Sequence, residues 1–553
     1  MRSILNKYPQ ALIVAILIVA FIIRLTGIGF GLPLWLVGDE PTLIFGALKM
    51  LELKTIIPAA HREVFALTFY YTPFISYLYL FPFLAYIGIS FFIKGVDVNT
   101  LSLLMRSDPS AFFLMARFLA VLVGTGTVYL SYALGLRLFK NKTMALYAAG
   151  FLALSFLHSN FSHWARHWIY AAFLLSALML VLLHEEWPSA KRYFVSAILS
   201  GMGVGIAPQM GLTALFIVLW YLIYDRRSLF KDVKTLWFWG SIAVFVCLVL
   251  LVYVLWPQPF FVARNAPDSI FYHKTLSGLF HDYWMYIRSV IKGDPLLSVF
   301  AFFGALAGFQ KYKRLFFVGI IFLASYVAIF YYSFLNMDRY ILPFYPLFAL
   351  CAGFGLWCIS QRLRRRFQFF LVFSLIALMI APLLYLDLLF LRNDSRIQAL
   401  DWIYREVSGG SKIAVLAPLT RLPGLPSAVM ELESIQPQAL RNADKAEKQL
   451  TMTQQNRKAF HALNLEAVSD SSFFAHLSDY LETQGYEYIV FNPEFLLSKK
   501  ADSSFLASGA ELEYIHGDET PEGLPFTDGF NGGLPNLLRT RQLGPEIIIR
   551  RLN

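Results

Sequence analysis

The sequence predicts a polytopic α-helical membrane protein with a soluble α/β domain at its C-terminal end. Two observations set the membrane class: 57% of the 553 residues are hydrophobic and only 15% are charged, against about 25% charged in an average soluble domain. A third is that apolar runs of about 18 residues or more, long enough to cross a hydrocarbon core of about 30 Å, recur over the first 390 positions and then stop. Residues 1–391 therefore read as a transmembrane domain and 392–553 as a soluble domain. The first run, "ALIVAILIVAFIIRLTGIGFGL", follows Arg2 and Lys7. It has no small-residue cleavage site and is too long for a signal-peptide core, so it is expected to stay as the first span.

The net charge of +11 is unevenly distributed. Residues 1–391 carry 31 Lys and Arg against 15 Asp and Glu, whereas 392–553 carry 16 against 21. In a membrane protein such an excess marks cytoplasmic loops and argues against nucleic-acid binding. Five basic clusters fall at 137–142, 190–192, 225–234, 310–314 and 361–366. With these inside, the external segments are 32–111, 158–168, 257–295, 336–340 and the C-terminal domain. Residues 70–93, with Pro73, Pro82 and several tyrosines, are then expected to be re-entrant or interfacial, because a single crossing there would invert every later cluster. Eleven crossings result, or thirteen if this region forms a hairpin. Cys247, Cys351 and Cys358 lie in apolar runs and read as small buried hydrophobes.

Beyond 392 the periodicity changes. Ile397, Leu400, Ile403 and Val407 have helical spacing, "SGGS" breaks it, and "KIAVLAP" reads as a strand. "FFAHLSDYLETQGYEYIVFNP" repeats the helix, glycine, strand order, and "PEIIIRRL" reads as a last strand. Residues 420–470 and 516–540 are expected to be loops.

The candidate chemistry begins at "LPLWLVGDEPTLIFGALKML", where Asp39 and Glu40 follow the first span. As interfacial acids they would only start a helix, with Asp39 near the N-cap and Pro41 in the first turn. As catalytic groups they would place a general base where a lipid-borne head group arrives. A divalent ion held with substrate oxygens is the one cofactor the pair suggests. "HSNFSHWARHWIY" adds His163, Arg166 and His167 with Trp164 and Trp168, more than an aromatic belt with interfacial cations requires. Arg62, Arg264, Lys274, Arg339 and Tyr340 lie on the same expected side, as do Tyr70 and Tyr71. Together they suggest a cationic, aromatic-lined external cavity, the basic groups for a lipid phosphate and the rings (Tyr70, Tyr71, Trp164, Trp168) for a sugar or acceptor.

"GDEPTLIFGALKML", "YYTPFISYLYL", "ARFLAVLVGTGTVYLSYALGLRLF", "DRYILPFYPLFALCAG" and "DSRIQALDWIYREVSGGSKIAVLAP" resemble, in order and spacing, motifs of the GT-C class of membrane glycosyltransferases. The resemblance is to the branch of protein O-mannosyltransferases and lipid A aminoarabinose transferases, over nearly the whole chain. It implies a GT-C fold of about 11–13 transmembrane helices and an inverting transfer of a hexosyl or pentosyl unit from a polyprenyl-phosphate carrier. The acceptor would be a glycan, lipid or protein on the extracytoplasmic side of a bacterial inner membrane. Asp39 would be the base, Glu40 would orient it or the acceptor, and Arg62, Arg166, Arg264 and Arg339 would meet the departing phosphate. The chain departs from the pattern at "SHWARHWIY", where His167 stands in place of an Asp that many relatives carry, which lowers the expectation of a bound metal. The runner-up reading is a transporter or flippase of a lipid-linked sugar, which needs polar residues within several spans or broken helices. A third is a non-catalytic assembly protein, indifferent to replacement of Asp39 and Glu40.

Overall fold

The computed structural model describes residues 8–65, 68, 73–95, 97–225, 233–256, 275–333, 338–440, 458–507, 510–518 and 533–552. Among the described residues, the regular elements up to residue 391 are all helices. The helices used below are α1 (Pro9–Leu25), α2 (Glu40–Glu52), α3 (Phe74–Lys94), α4 (Ser110–Phe139), α5 (Lys142–Ala153), α6 (Phe156–Ser162), α7 (His167–Leu182), α8 (Leu236–Leu255), α9 (Leu276–Gly293), α10 (Pro295–Gly308), α11 (Tyr345–Gln361) and α12 (Arg365–Leu391).

Among the described residues, six helical runs are long and apolar enough to cross a bilayer, and up to eight if two bent pairs each count as one span. Helix α8 has apolar residues all round and none fully buried in the rest of the chain, a surface suited to lipid. The chain is an integral membrane protein.

The number of long spans falls below the eleven expected, and the backbone gives the reason. The run through 142–162 bends by 60° between α5 and α6, and that through 276–308 bends by 117° between α9 and α10. Helix α1 has 17 residues and α7 has 16. The segment expected to be re-entrant or interfacial is, from Phe74 to Lys94, one continuous helix, apolar enough over 74–93 to cross, with Pro82 inside it.

Both bends meet at one carboxylate. Asp294, between α9 and α10, accepts hydrogen bonds from Phe156 N (2.6 Å), Leu157 N (3.1 Å) and Ser155 Oγ (2.9 Å). It thereby satisfies N–H groups that the first turn of α6 leaves without intrahelical partners. Close packing follows from small residues: a methyl on Gly304 of α10 would overlap the Cys351 carbonyl of α11, and one on Gly355 would overlap the Phe300 carbonyl. Where lipid is as apolar as the side chains, such backbone approach holds helices together.

The C-terminal domain is a five-stranded sheet: β1 (Lys412–Leu416), β2 (His461–Asn464), β3 (Tyr488–Phe491), β4 (Ala510–Ile515) and β5 (Ile547–Arg551), in the order β2-β1-β3-β5-β4. Strands β1, β2 and β3 are parallel; β5 is antiparallel to β3, and β4 to β5. Alternate residues serve opposite faces. Ile413, Val415 and Ile549 pack under the helix Ser395–Glu406, whereas Ala414, Leu416 and Ile489 pack under Pro426–Ile435 and Leu477–Thr483. The expected helix, first strand and last strand are present. The expected loops are not wholly loops: 420–470 contains the helix Pro426–Ile435 and β2, and 516–540 contains the helix Leu534–Arg539. Proline and glycine there mark element ends, since Pro426 and Pro535 sit in first turns.

Candidate active site

Between α1 and α2 the chain runs through turns that end at Asp39, the N-cap of α2. Asp39 has φ +70°, a conformation rare for a side-chain-bearing residue though better tolerated by Asp and Asn than by most. Its carboxylate is 25% exposed and its Oδ2 lies 3.1 Å from Arg339 Nη2 and 3.8 Å from Arg166 Nη2. Arg166 also grips the preceding residue, donating from Nε (2.9 Å) and Nη2 (2.5 Å) to the Gly38 carbonyl. These contacts hold the acid at the end of α2 in its unusual backbone conformation.

The two arginines come from distant segments. Arg166 is the N-cap of α7, and Arg339 lies in a 3₁₀ stretch (Asp338–Phe344) before α11. The rings of His167 and Trp168 lie 4.3 Å apart, and Trp168 and Tyr340 4.8 Å apart. His167 lies within the electrostatic reach of Asp39, Arg339 and Arg166. All these side chains but Asp39 are at most 9% exposed. The result is a partly exposed carboxylate, backed by two guanidinium groups, an imidazole and two aromatic rings. Asp39, Arg166, His167, Trp168, Arg339 and Tyr340 are thus brought together from three segments.

Glu40 is placed otherwise. It is fully buried and both oxygens are engaged: Arg117 donates from Nε to Oε1 (3.1 Å) and Oε2 (3.2 Å) and from Nη2 to Oε2 (2.7 Å), and Ala165 N donates to Oε1 (2.6 Å). Arg117 Nη1 donates to the Ile28 and Phe30 carbonyls at 2.8 and 2.7 Å, and its guanidinium lies 5.2 Å from the centre of the Trp164 ring. Glu40 therefore has no face toward a water-borne acceptor and acts as an anchor. It ties α2 to α4, to the turns before Asp39 and to the loop before α7. Composition did not single out Arg117; the available signal was a cation in the apolar first half of α4, 20 residues before Arg137 in its last turn.

His163 and Trp164 also turn away from Asp39. His163 is buried, with Nδ1 2.9 Å from Ser159 O and Nε2 3.1 Å from Ile23 O and 3.5 Å from Asp387 Oδ1. Trp164 packs against Phe30 and Phe390. The tight turn in which Arg166 N donates to Trp164 O (2.7 Å) sends neighbouring side chains in different directions, so only Arg166 and the two residues after it join Asp39. Arg62 is exposed at the start of a one-turn helix and makes no ion pair with either acid among the described residues. Tyr70, Tyr71, Arg264 and Lys274 lie outside the described residues.

A second buried polar group, not foreseen, lies deeper. Arg24 donates to Ala20 O, Ala153 O and Leu152 O and lies 3.0 Å from His158 Nδ1, while His163 faces Asp387. The cluster links α1, the α5–α6 bend and α12. Asp387 had its signal in the lone acid of the apolar run 371–391.

The donor set does not suit a divalent cation. No group of three or more His, Cys, Asp or Glu converges among the described residues. Glu40 is saturated by Arg117, and the Asp39 carboxylate is already faced by two positive groups, whose charge opposes a second cation.

Fold and site together define a polytopic helical membrane protein with an acid–guanidinium centre on its first inter-span connection and an α/β domain after its last span. The chain is similar to ArnT from Cupriavidus metallidurans in the apo state, with 13% identity, a TM-score of 0.48 and coverage of 98% of this chain and 97% of that one. It is similar to ArnT from the same organism bound to undecaprenyl phosphate (12%, TM-score 0.42, 98% and 97%). It is also similar to the archaeal oligosaccharyltransferase AglB from Archaeoglobus fulgidus in complex with an inhibitory peptide and a dolichol-phosphate (14%, TM-score 0.39, 94% and 74%). No family model and no curated protein matches the chain.

Proposed function

We propose that the protein is an inverting glycosyltransferase that moves a sugar from a polyprenyl-phosphate carrier to an acceptor hydroxyl on the extracytoplasmic side of a bacterial inner membrane. The observation that carries this reading is the Asp39 carboxylate, partly open and 3.1 Å from the buried Arg339 guanidinium. The motif resemblance at "GDEPTLIFGALKML" and "DRYILPFYPLFALCAG" supports it. A base paired with a guanidinium is ionised but weakly basic. A carrier phosphate arriving beside Arg339 and Arg166 competes for both cations and leaves the Asp39 oxygen to the acceptor. The acceptor O–H proton then passes to Asp39, its oxygen bonds to the anomeric carbon from the face opposite the leaving group, and the bond from that carbon to the carrier phosphate breaks. The electron pair departs on the phosphate, where Arg339 and Arg166 meet the charge. A phosphate leaves without a proton from a general acid, so one base and fixed positive charge suffice. Trp168 and Tyr340 form the aromatic wall on the sugar side, and Glu40 positions Asp39 through the Arg117 anchor.

The test is sugar transfer by purified protein from a polyprenyl-phosphate donor pool, wild type against Asp39→Asn. Asparagine keeps the volume and tolerates the positive φ. The expected outcome is a loss of about 10²–10⁴-fold in turnover with lipid phosphate binding retained; equal turnover removes Asp39 from the chemistry. A transporter reading draws on the bends at α5–α6 and α9–α10 and on the buried Arg24–Asp387 cluster. It predicts carrier movement across vesicles by both proteins and transfer by neither.

A further inference from the structure

We propose that the groove between the helix Ser395–Glu406 and the edge strand β4 is a carbohydrate-binding site for an uncharged sugar unit. The groove encloses about 530 Å³ and is lined by Asn393, Gln398, Asp401, Trp402, Tyr404, Arg405, Glu513 and Ile515. That volume lies within the roughly 300–1,000 Å³ of small-molecule sites. None of these residues belongs to the Asp39 centre.

The lining has the two components a pyranose needs. Trp402 and Tyr404, both half-buried, give apolar ring surface to the C–H faces of a sugar. Around them stand planar amides and carboxylates, which pair with vicinal hydroxyls as donors and acceptors. Their orientation is fixed by mutual bonds: Asn393 Nδ2 donates to Asp401 Oδ2 at 3.0 Å, and Gln398 Nε2 donates to Asn393 O at 2.7 Å. The amide oxygens of Asn393 and Gln398 and Asp401 Oδ1 remain as acceptors, with Arg405 as a charged donor. Two carboxylates against one guanidinium disfavour a phosphate or another anion. A lining this polar also disfavours an acyl chain or an apolar peptide. A neutral polyhydroxylated ligand satisfies both conditions.

Its position gives the site a use. Asn393 also lines a neighbouring cavity of about 240 Å³ whose other wall is Gly27–Leu32, the turns whose carbonyls Arg117 holds just before Asp39. The groove thus adjoins, through Asn393, the cavity walled by the connection that carries the acid. Assigning it to the distal part of a glycan acceptor rests on the glycosyltransferase reading; the binding site itself does not.

The experiment uses the full chain in lipid nanodiscs with no carrier-linked donor. Saturation-transfer NMR is recorded with maltotriose, chitotriose and mannotriose in turn, with empty nanodiscs as the control. At least one trisaccharide is expected to bind. Trp402→Ala abolishes the transfer, and Asp401→Ala, a change at an exposed position that spares the core, weakens affinity about tenfold. Asp39→Asn leaves it unchanged. Absence of binding for all three sugars, or equal affinity in wild type and Asp401→Ala, overturns the proposal. So does binding lost with Asp39→Asn and kept with Asp401→Ala, which would move the sugar to the Asp39 centre. Sugar binding here, together with no transfer by the same protein once the polyprenyl-phosphate donor pool is supplied, would keep the groove and sink the transferase.

Discussion

Glu40 and Asp39 are neighbours in sequence and opposites in environment, so replacing each has a different signature. Removing one partner of the buried Glu40–Arg117 pair leaves the other charge uncompensated, at a cost of about 3–5 kcal/mol. Glu40→Gln and Arg117→Met are each expected to destabilise the protein by about that amount, seen as a lower thermal unfolding midpoint in detergent. The double variant, with no orphaned charge, should recover part of it; simple addition of the two losses would show that the residues do not act as a pair. Only the acidic dipeptide was legible in the sequence. Which of the two acids stays partly exposed depends on the positive φ at Asp39 and on Arg117, 77 positions away, and no local pattern encodes either. A further residue-scale test lies in the C-terminal domain, at Glu431. Burial raises its carboxyl, but hydrogen bonds from His461 (2.6 Å), Tyr480 (2.6 Å) and Tyr486 (2.7 Å) outweigh that and hold its pKa at about 2, below the ordinary 4.5. A depressed carboxylate stabilises the fold above its unfolded pKa and loses that contribution as pH falls through the folded one. Near-UV circular dichroism should therefore show Glu431→Gln less stable than wild type at pH 6, the difference shrinking from about pH 4.5 toward pH 2. A gap constant down to pH 2 would contradict the ion-paired assignment.

At the scale of elements, the sequence legibly marked helices and strands with strong periodicity and missed the joints. The helix from Ser395, strand β1 and strand β5 follow from apolar spacing alone. The bends do not, because each depends on a partner distant in sequence: Asp294 serves the first turn of α6, more than a hundred residues earlier. Asp294→Ala leaves two backbone N–H groups and the Ser155 hydroxyl without their acceptor, each buried unsatisfied group costing about 1–3 kcal/mol. The expected result is loss of folded protein in detergent, with Asp294→Asn retaining part of the stability. The contact of α10 with α11 gives the complementary test. Gly304→Val should disrupt packing because backbone atoms of α11 fill the space, whereas Gly319→Ala, whose added methyl meets nothing within 4 Å, should leave stability within about 0.5 kcal/mol of wild type.

For the whole molecule, the change from apolar helices to an α/β sheet was legible because lipid and water select different compositions, and that selection acts on every residue of a long segment. The number of spans was not. It turns on whether a bent pair crosses once or returns, and on the continuous helix Phe74–Lys94, which inverts every later segment if it crosses alone. Charge supplies the independent constraint, since the basic clusters and the acidic C-terminal domain fall on opposite sides only with an odd number of crossings. The two arguments are separable by labelling. In a variant with Cys247, Cys351 and Cys358 replaced by serine, a single cysteine is introduced at Glu511, on the exposed edge strand β4, or at Lys191, exposed in a basic cluster. A membrane-impermeant maleimide applied to intact spheroplasts is expected to label Glu511→Cys fully and Lys191→Cys only after lysis. Labelling of both before lysis would put the Lys191 cluster outside. Labelling of Lys191→Cys alone would invert the topology, and would place the Asp39 centre and the groove beside Trp402 where an extracytoplasmic acceptor never arrives.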